Sequence, residues 1–151
     1  MLDTSPIPRP TSRRDAMGLL ARARPADLAA LFPGPDTDFT WARKPEIGLV
    51  MVQGRMGGEG GPFNLGEMTV TRCVLQLATG AVGHATVQGR DKDHARRAAL
   101  IDALWQTDPA GIETAILTPL KTAETARHAT RAAKAAATRV EFFTLARGED
   151  K

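Results

Sequence analysis

The chain has a single cysteine, Cys73, among 151 residues. One thiol builds neither an internal disulfide framework nor a cysteine-rich zinc site, and it suits a reducing compartment. No apolar run approaches the ~20 residues that a membrane-spanning helix requires. The opening stretch MLDTSPIPRPTSRRD lacks the apolar core of a secretory signal, so the cytoplasm is the expected location. Short catalytic and metal-ligand spacings are missing too. His84, His94 and His128 form no HExxH pattern. There is no GxSxG elbow and no isolated pair of carboxylates embedded in apolar sequence. A self-contained active site is therefore not expected.

What is present is ordinary globular composition, 42% hydrophobic and 25% charged, which excludes wholesale disorder. The length fits one domain with a real core. A net charge of +3 is compatible with anionic partners but is too small an excess to mark a nucleic-acid-binding protein.

Residues 1–10 hold three prolines and read as a flexible arm, leaving residues 11–151 as a single domain. Ser12 followed by Asp15 resembles a helix start, with Ala16, Leu19, Leu20 and Ala23 on one face. Pro25 opens a second short helix carrying Leu28, Leu31 and Phe32, which PGPD ends. The middle is strand-like: DFTWAR (38–43), GLVMVQGRM (48–56), MTVTRCVLQLA (68–78) and AVGHATVQG (81–89). Thr79-Gly80 suits a tight hairpin. Cys73, Leu75 and Leu77 point one way and Arg72 and Gln76 the other, the alternation of an antiparallel sheet with one covered face.

Asp91 then caps a helix to about Gln106, with Ala98, Ile101, Leu104 and Trp105 as its apolar stripe. A loop around Pro109 precedes a helix expected to begin near Ile112 and to be interrupted at Pro119. The alanine-rich LKTAETARHATRAAKAAATR (120–139) follows, and VEFFTLAR (140–147) reads as a last strand able to rejoin the sheet. The fold class is α+β: a mainly antiparallel sheet with an N-terminal helical hairpin and C-terminal helices packed on it.

VQGR occurs twice, at Val52–Arg55 and Val87–Arg90. The first copy runs into GRMGGEGGPFNLG, which has neither the spacing nor the lysine of a phosphate-cradling loop. It reads as a hairpin loop between two strands, or as a loop that orders against a partner. The second copy is better placed for an anion, because Arg90 and Lys92 flank a helix N-terminus. Asp91 and Asp93 already complement that dipole, however. His94 shares the face of Ala98 and Ile101 and reads as a partly buried, hydrogen-bonded histidine; Cys73 reads as a core filler. In the alanine-rich helix, Ala126, Ala129 and Ala133 offer little bulk, while Arg127, Arg131, Lys134 and Arg139 line other surface. That helix either is simply solvated or docks on a partner protein.

Several segments together are far more specific than any one motif: Arg55-Met56-Gly57-Gly58, Thr71-Arg72, Gly89-Arg90-Asp91-Lys92, His94-Ala95, Ala99-Leu100-Ile101-Asp102-Ala103-Leu104 and Phe142-Phe143. They resemble the G subunit of the bacterial carbon–phosphorus lyase system, over nearly the whole chain beyond the proline arm. The proline arm and the alanine-rich helix depart from that pattern. The resemblance implies a dependent part of a phosphonate-degrading assembly, in which G, H, I and J subunits form a two-fold core. With the I subunit as nucleosidase and the L protein assisting, G and H support transfer of a ribose triphosphate from ATP to methylphosphonate, releasing adenine. The J subunit later cleaves the carbon–phosphorus bond with an iron–sulfur cluster and S-adenosylmethionine. No catalytic residue, metal or cofactor is carried over to this chain; ATP and methylphosphonate are substrates of the complex. Candidate interface or anion contacts are Arg55, Gly57, Gly58, Arg72, Arg90, Lys92 and His94. Neither membrane nor nucleic acid is expected as a partner. Two other readings stay open: a standalone nucleotide or phosphonate enzyme, and a small basic nucleic-acid- or nucleotide-binding module, whose C-terminal arginines lack interleaved aromatics.

Overall fold

Ser12 starts the first helix. Its hydroxyl accepts the Asp15 N–H at 3.2 Å, satisfying one of the donors that a helix start leaves free, and α1 (Arg13–Arg22) follows. The computed structural model describes residues 12–34 and 37–140. The proline arm at 1–10 and most of the expected last strand, 141–147, lie outside the described residues. Pro25 sits in the first turn of α2 (Pro25–Leu31), where its missing N–H costs nothing. Leu28 and Phe32 turn inward from α2, whereas Leu31 lies on its exposed side. The expected shared stripe is thus Leu28 and Phe32 alone, one helical turn apart.

Among the described residues three strands form an antiparallel sheet in the order β1–β2–β3: β1 (Phe39–Arg55), β2 (Pro62–Leu77) and β3 (Val82–Gln88). The two strands expected at 38–43 and 48–56 are one. Pro45, inside it, is absorbed because β1 is an edge strand and gains extra residues against β2 between Trp41 and Arg43 and between Arg43 and Glu46. A bulged edge has no ladder bond for proline to remove. β2 likewise starts at Pro62 rather than near Met68, so the glycine-rich hairpin loop shrinks to Met56–Gly61, opening with a 3-10 turn at Met56–Gly58. The β2–β3 hairpin turns at Thr79-Gly80, where Gly80 takes φ of 90° and its N–H donates to the Leu77 carbonyl.

The helices cover one face of the sheet. On β2, Cys73, Leu75 and Leu77 are buried, while Gln76 on the other face is exposed. Asp91 caps α3 (Lys92–Thr107) by accepting the His94 N–H at 2.8 Å. α3 is the central element, packed on β2 and β3 below and on α1 and α2 beside it. Its buried surface is accordingly wider than a single stripe: Ala95, Ala98, Ala99, Leu100, Ile101 and Ala103 are all enclosed, and Leu104 and Trp105 are half-buried. Two large aliphatic side chains, Leu100 and Ile101, contribute about 1.5–3 kcal/mol each by burial; the alanines instead let α3 lie close to the sheet. At Gly83 the approach is closest, because a β-carbon there would collide with the Ala99 carbonyl and the Ala103 methyl.

Beyond α3, the helix expected near Ile112 begins earlier, and Pro119 does not interrupt it. Asp108 accepts the Gly111 N–H at 3.0 Å, and Pro109 opens α4 (Pro109–Ile112). A π-helical segment, Glu113–Leu117, then leads into α5 (Thr118–Ala137) with the backbone helical throughout. The Thr118 N–H reaches back five residues to the Glu113 carbonyl. This wide turn comes just before Pro119, whose ring and missing N–H disturb a regular helix one turn upstream.

One buried carboxylate ties the layers together. Asp102, 2% exposed, accepts two bonds from the Arg13 guanidinium (Nε 3.0 Å, Nη2 2.8 Å) and one from the His84 backbone N–H at 2.9 Å. Arg13 also donates to the Val82 carbonyl at 3.1 Å, and Gln106 does so at 2.8 Å. Removing the arginine takes two of the three donors from the Asp102 carboxylate, and because the Arg13 side chain is part-exposed and water can replace it, Arg13→Ala is expected to lower stability by about 1–3 kcal/mol. Gly83→Ala is expected to cost at least about 1–3 kcal/mol by overpacking. Urea unfolding checks both, and an unchanged midpoint in either variant contradicts its contact.

Candidate interaction surface

β3 stops short. Its last strand residue, Gln88, lies opposite Val70, and the Gly89 N–H bonds the Thr69 carbonyl; from there outward, among the described residues, β2 has only β1 beside it. The segments Leu49–Arg55 of β1 and Pro62–Thr69 of β2 therefore form a two-stranded arm. At ~3.3 Å per residue it reaches roughly 23 Å past the third strand.

The arm carries most of the exposed large apolar side chains of the described residues: Ile47 at its root, then Leu49, Met51, Met56, Phe63 and Leu65, from 42% exposed at Phe63 to 73% at Met56. The register sorts them onto two faces. Ile47 opposes Thr71 and Leu49 opposes Thr69, so with Met51 they prolong the helix-covered face of the sheet beyond the helices. Val50 opposes Met68, Val52 opposes Gly66 and Gly54 opposes Phe63, all on the reverse face. Leu65 is the extra residue at a bulge in β2. Its β-carbon and the Phe63 ring both lie against the side that a Gly54 side chain would occupy, so it joins the reverse face.

The residues singled out from sequence fall into three places. Arg55, Gly57 and Gly58 stand at the arm's tip; the two glycines take φ of 59° and 81°, and Arg55 reaches the Gly60 carbonyl at 3.4 Å. Arg72 lies at the arm's root on the reverse face, its guanidinium stretched over Gly48 and its Nε 2.9 Å from Glu46 Oε1. Arg43 holds the same oxygen at 2.9 Å, and the hydrogen bond from Arg72 together with both charges pulls the Glu46 carboxyl below its usual range. Arg90 and Lys92 are exposed at the start of α3 without a bonded partner among the described residues. His94 is only 5% exposed and its Nε2 lies 2.8 Å from the Leu20 carbonyl, which can only accept, so that nitrogen carries the proton.

Arg55 pairs with Pro62 and Gly89 bonds beside Thr69, so the two VQGR copies flank β2 at different heights, about seven strand positions apart. They do not converge on one anion. A separate basic groove of about 470 Å³ lies between α2 and α5, lined by Arg24, Arg127, Arg131 and Lys134 over Ala126 and Thr130. Of these, Arg127 faces Asp27 at 3.4 Å. From Arg131 to Val140 every residue is exposed. Among the described residues no group of three or more His, Cys, Asp or Glu is placed to hold a metal, and no helix is long and apolar enough to cross a membrane. A cavity of about 240 Å³ between α1 and β3 is walled by Met17, Leu20, Ala85 and Ala98, with His84 and Thr86 as its polar groups. Cys73 is sealed in the core, where burial pushes its thiol up to about 11.

An arm with open apolar side chains, on a fold whose buried Thr71, His94 and Asp102 each bond within it, fits a class of protein that works by assembling with others. The comparisons agree. The family described as phosphonate metabolism protein PhnG matches residues 11–148. The chain is 46% identical over 142 residues to a protein of Rhizobium meliloti (strain 1021) named alpha-D-ribose 1-methylphosphonate 5-triphosphate synthase subunit PhnG, covering 91% of this chain and 90% of that one. This chain belongs to the PhnG family.

Two measurements follow from the site residues. Cys73 is expected to ignore a thiol reagent at pH 8 while the protein is folded, since burial both shields it and disfavours the thiolate; rapid labelling of the native chain contradicts a core position. Arg55→Ala and Arg90→Ala are each expected to change stability by no more than about 0.5 kcal/mol. A large drop in melting temperature returns that arginine to the fold.

Proposed function

We propose that this chain is an accessory subunit of a complex that transfers ribose 5-triphosphate from ATP to methylphosphonate during phosphonate degradation. The observation that carries the reading is the near-full-length 46% identity to a named subunit of that synthase. The exposed apolar arm supports it physically, because a monomer gains nothing from holding such side chains in water. The partners are the H, I and J subunits, with the L protein associated, and the complex works in the cytoplasm. This subunit supplies no cofactor and no catalytic group of its own; its contribution is shape and contact surface. ATP and methylphosphonate are substrates of the assembled complex.

The purified chain alone is expected to release no adenine from ATP with methylphosphonate present, and the co-expressed complex to do so only when this chain is included. Turnover by the isolated chain that a single substitution in it abolishes overturns the accessory role. So does undiminished turnover by a complex prepared without it.

A further inference from the structure

We infer that the β1–β2 arm is gripped on both faces by a groove in a different subunit, one whose two walls are both lined by apolar side chains. This deepens the reading of function above and rests on it. The first observation is two-sidedness: Leu49 and Met51 point to the helix side, and Phe63 and Leu65 to the reverse side. All four are more than two-fifths exposed. A partner lying flat against one face leaves the other wet.

The second observation is that, among the described residues, nothing supports the arm. An isolated two-stranded ribbon is marginal in water, and this one extends past both β3 and the helices. Burial on one side gives it half a core; burial on two sides makes it the middle layer of a sandwich. The third consideration is that arm-to-arm contact with a second copy of this chain does not cover the arm. Two arms paired edge to edge in an isologous contact still expose both faces, and two arms stacked face to face still expose the outer ones. A concave partner covers all four side chains together. The tip is consistent with insertion: glycines at 57, 58, 60 and 61 leave it slender, and it carries one charge of each sign, Arg55 opposite Pro62 and Glu59 in the turn. The walls of the groove are therefore apolar where they meet these four side chains, with a donor for Glu67, which opposes Met51 on the helix side, and polar partners for Arg55 and Glu59 at the closed end.

The test uses the co-expressed complex, captured through a tag on another subunit. Two variants of the full chain interrogate the faces separately: Leu49→Asp with Met51→Asp for the helix side, and Phe63→Asp with Leu65→Asp for the reverse side. Each pair is expected to weaken capture at least tenfold, the loss typical of truncating a buried interface anchor. The melting temperature of the free chain is expected to stay unchanged, since none of the four belongs to the core. Oxidative footprinting of the unmodified chain provides an independent readout: Met51 on one face and Met68 on the other are both expected to be protected on assembly. Loss from one face only, with the second pair captured like the unmodified chain, overturns the two-walled groove. A concentration-dependent homodimer abolished by either pair replaces it with a second copy. If the unmodified chain enters the complex and both variants follow it equally well, the groove is wrong while the proposed function stands. If the unmodified chain does not enter, the function reading falls and the groove with it.

Discussion

The fold hinges on the Asp102 carboxylate. At 2% exposure its charge is tolerable only because three donors answer it, two from Arg13 on α1 and one from the His84 backbone on β3, while Asp102 itself belongs to α3. One anion thus fixes a helix, a second helix and a strand relative to one another. The same knot guards the sheet. β3 is an edge strand, and its Val82 carbonyl and His84 N–H would otherwise invite another strand; Arg13, Gln106 and Asp102 occupy those valences with side chains. One end of the β3 edge is closed by the fold itself, whereas the arm leaves the strands β1 and β2 open.

Local signals were legible wherever a residue acts through its near neighbours. Ser12 and Asp91 cap the helices expected of them, Thr79-Gly80 turns the expected hairpin, and Cys73, Leu75 and Leu77 face the core as alternation requires. Proline misled at Pro119, because its cost depends on whether the missing N–H was needed. At Pro45 an edge bulge, and at Pro119 a preceding π turn, make it unnecessary. Asp102 drew no reading of its own from the sequence. Its flanking Ile101 and Ala103 hinted at burial, but its partner Arg13 lies 89 positions away and no pattern links them.

The candidate surface was half legible. Arg55, Gly57 and Gly58 drew attention to the hairpin that forms the arm's tip. The apolar arm itself stayed hidden, because alternating Ile47, Leu49 and Met51 read the same whether a helix covers them or not. Coverage depends on the mismatch between a 16-residue β2 and a 7-residue β3. That mismatch emerges only once Pro62–Gly66 is recognised as strand rather than loop.

The arm also bears on supply. Open strand edges flanked by water-exposed Leu49, Phe63 and Leu65 are the features that template non-native association between chains. A copy made without its companions is consequently a hazard at high concentration, and its survival depends on how fast it finds them. Synthesis in matched amounts with the rest of the assembly is then a physical requirement of this chain, imposed by the same ribbon that gives it something to hold.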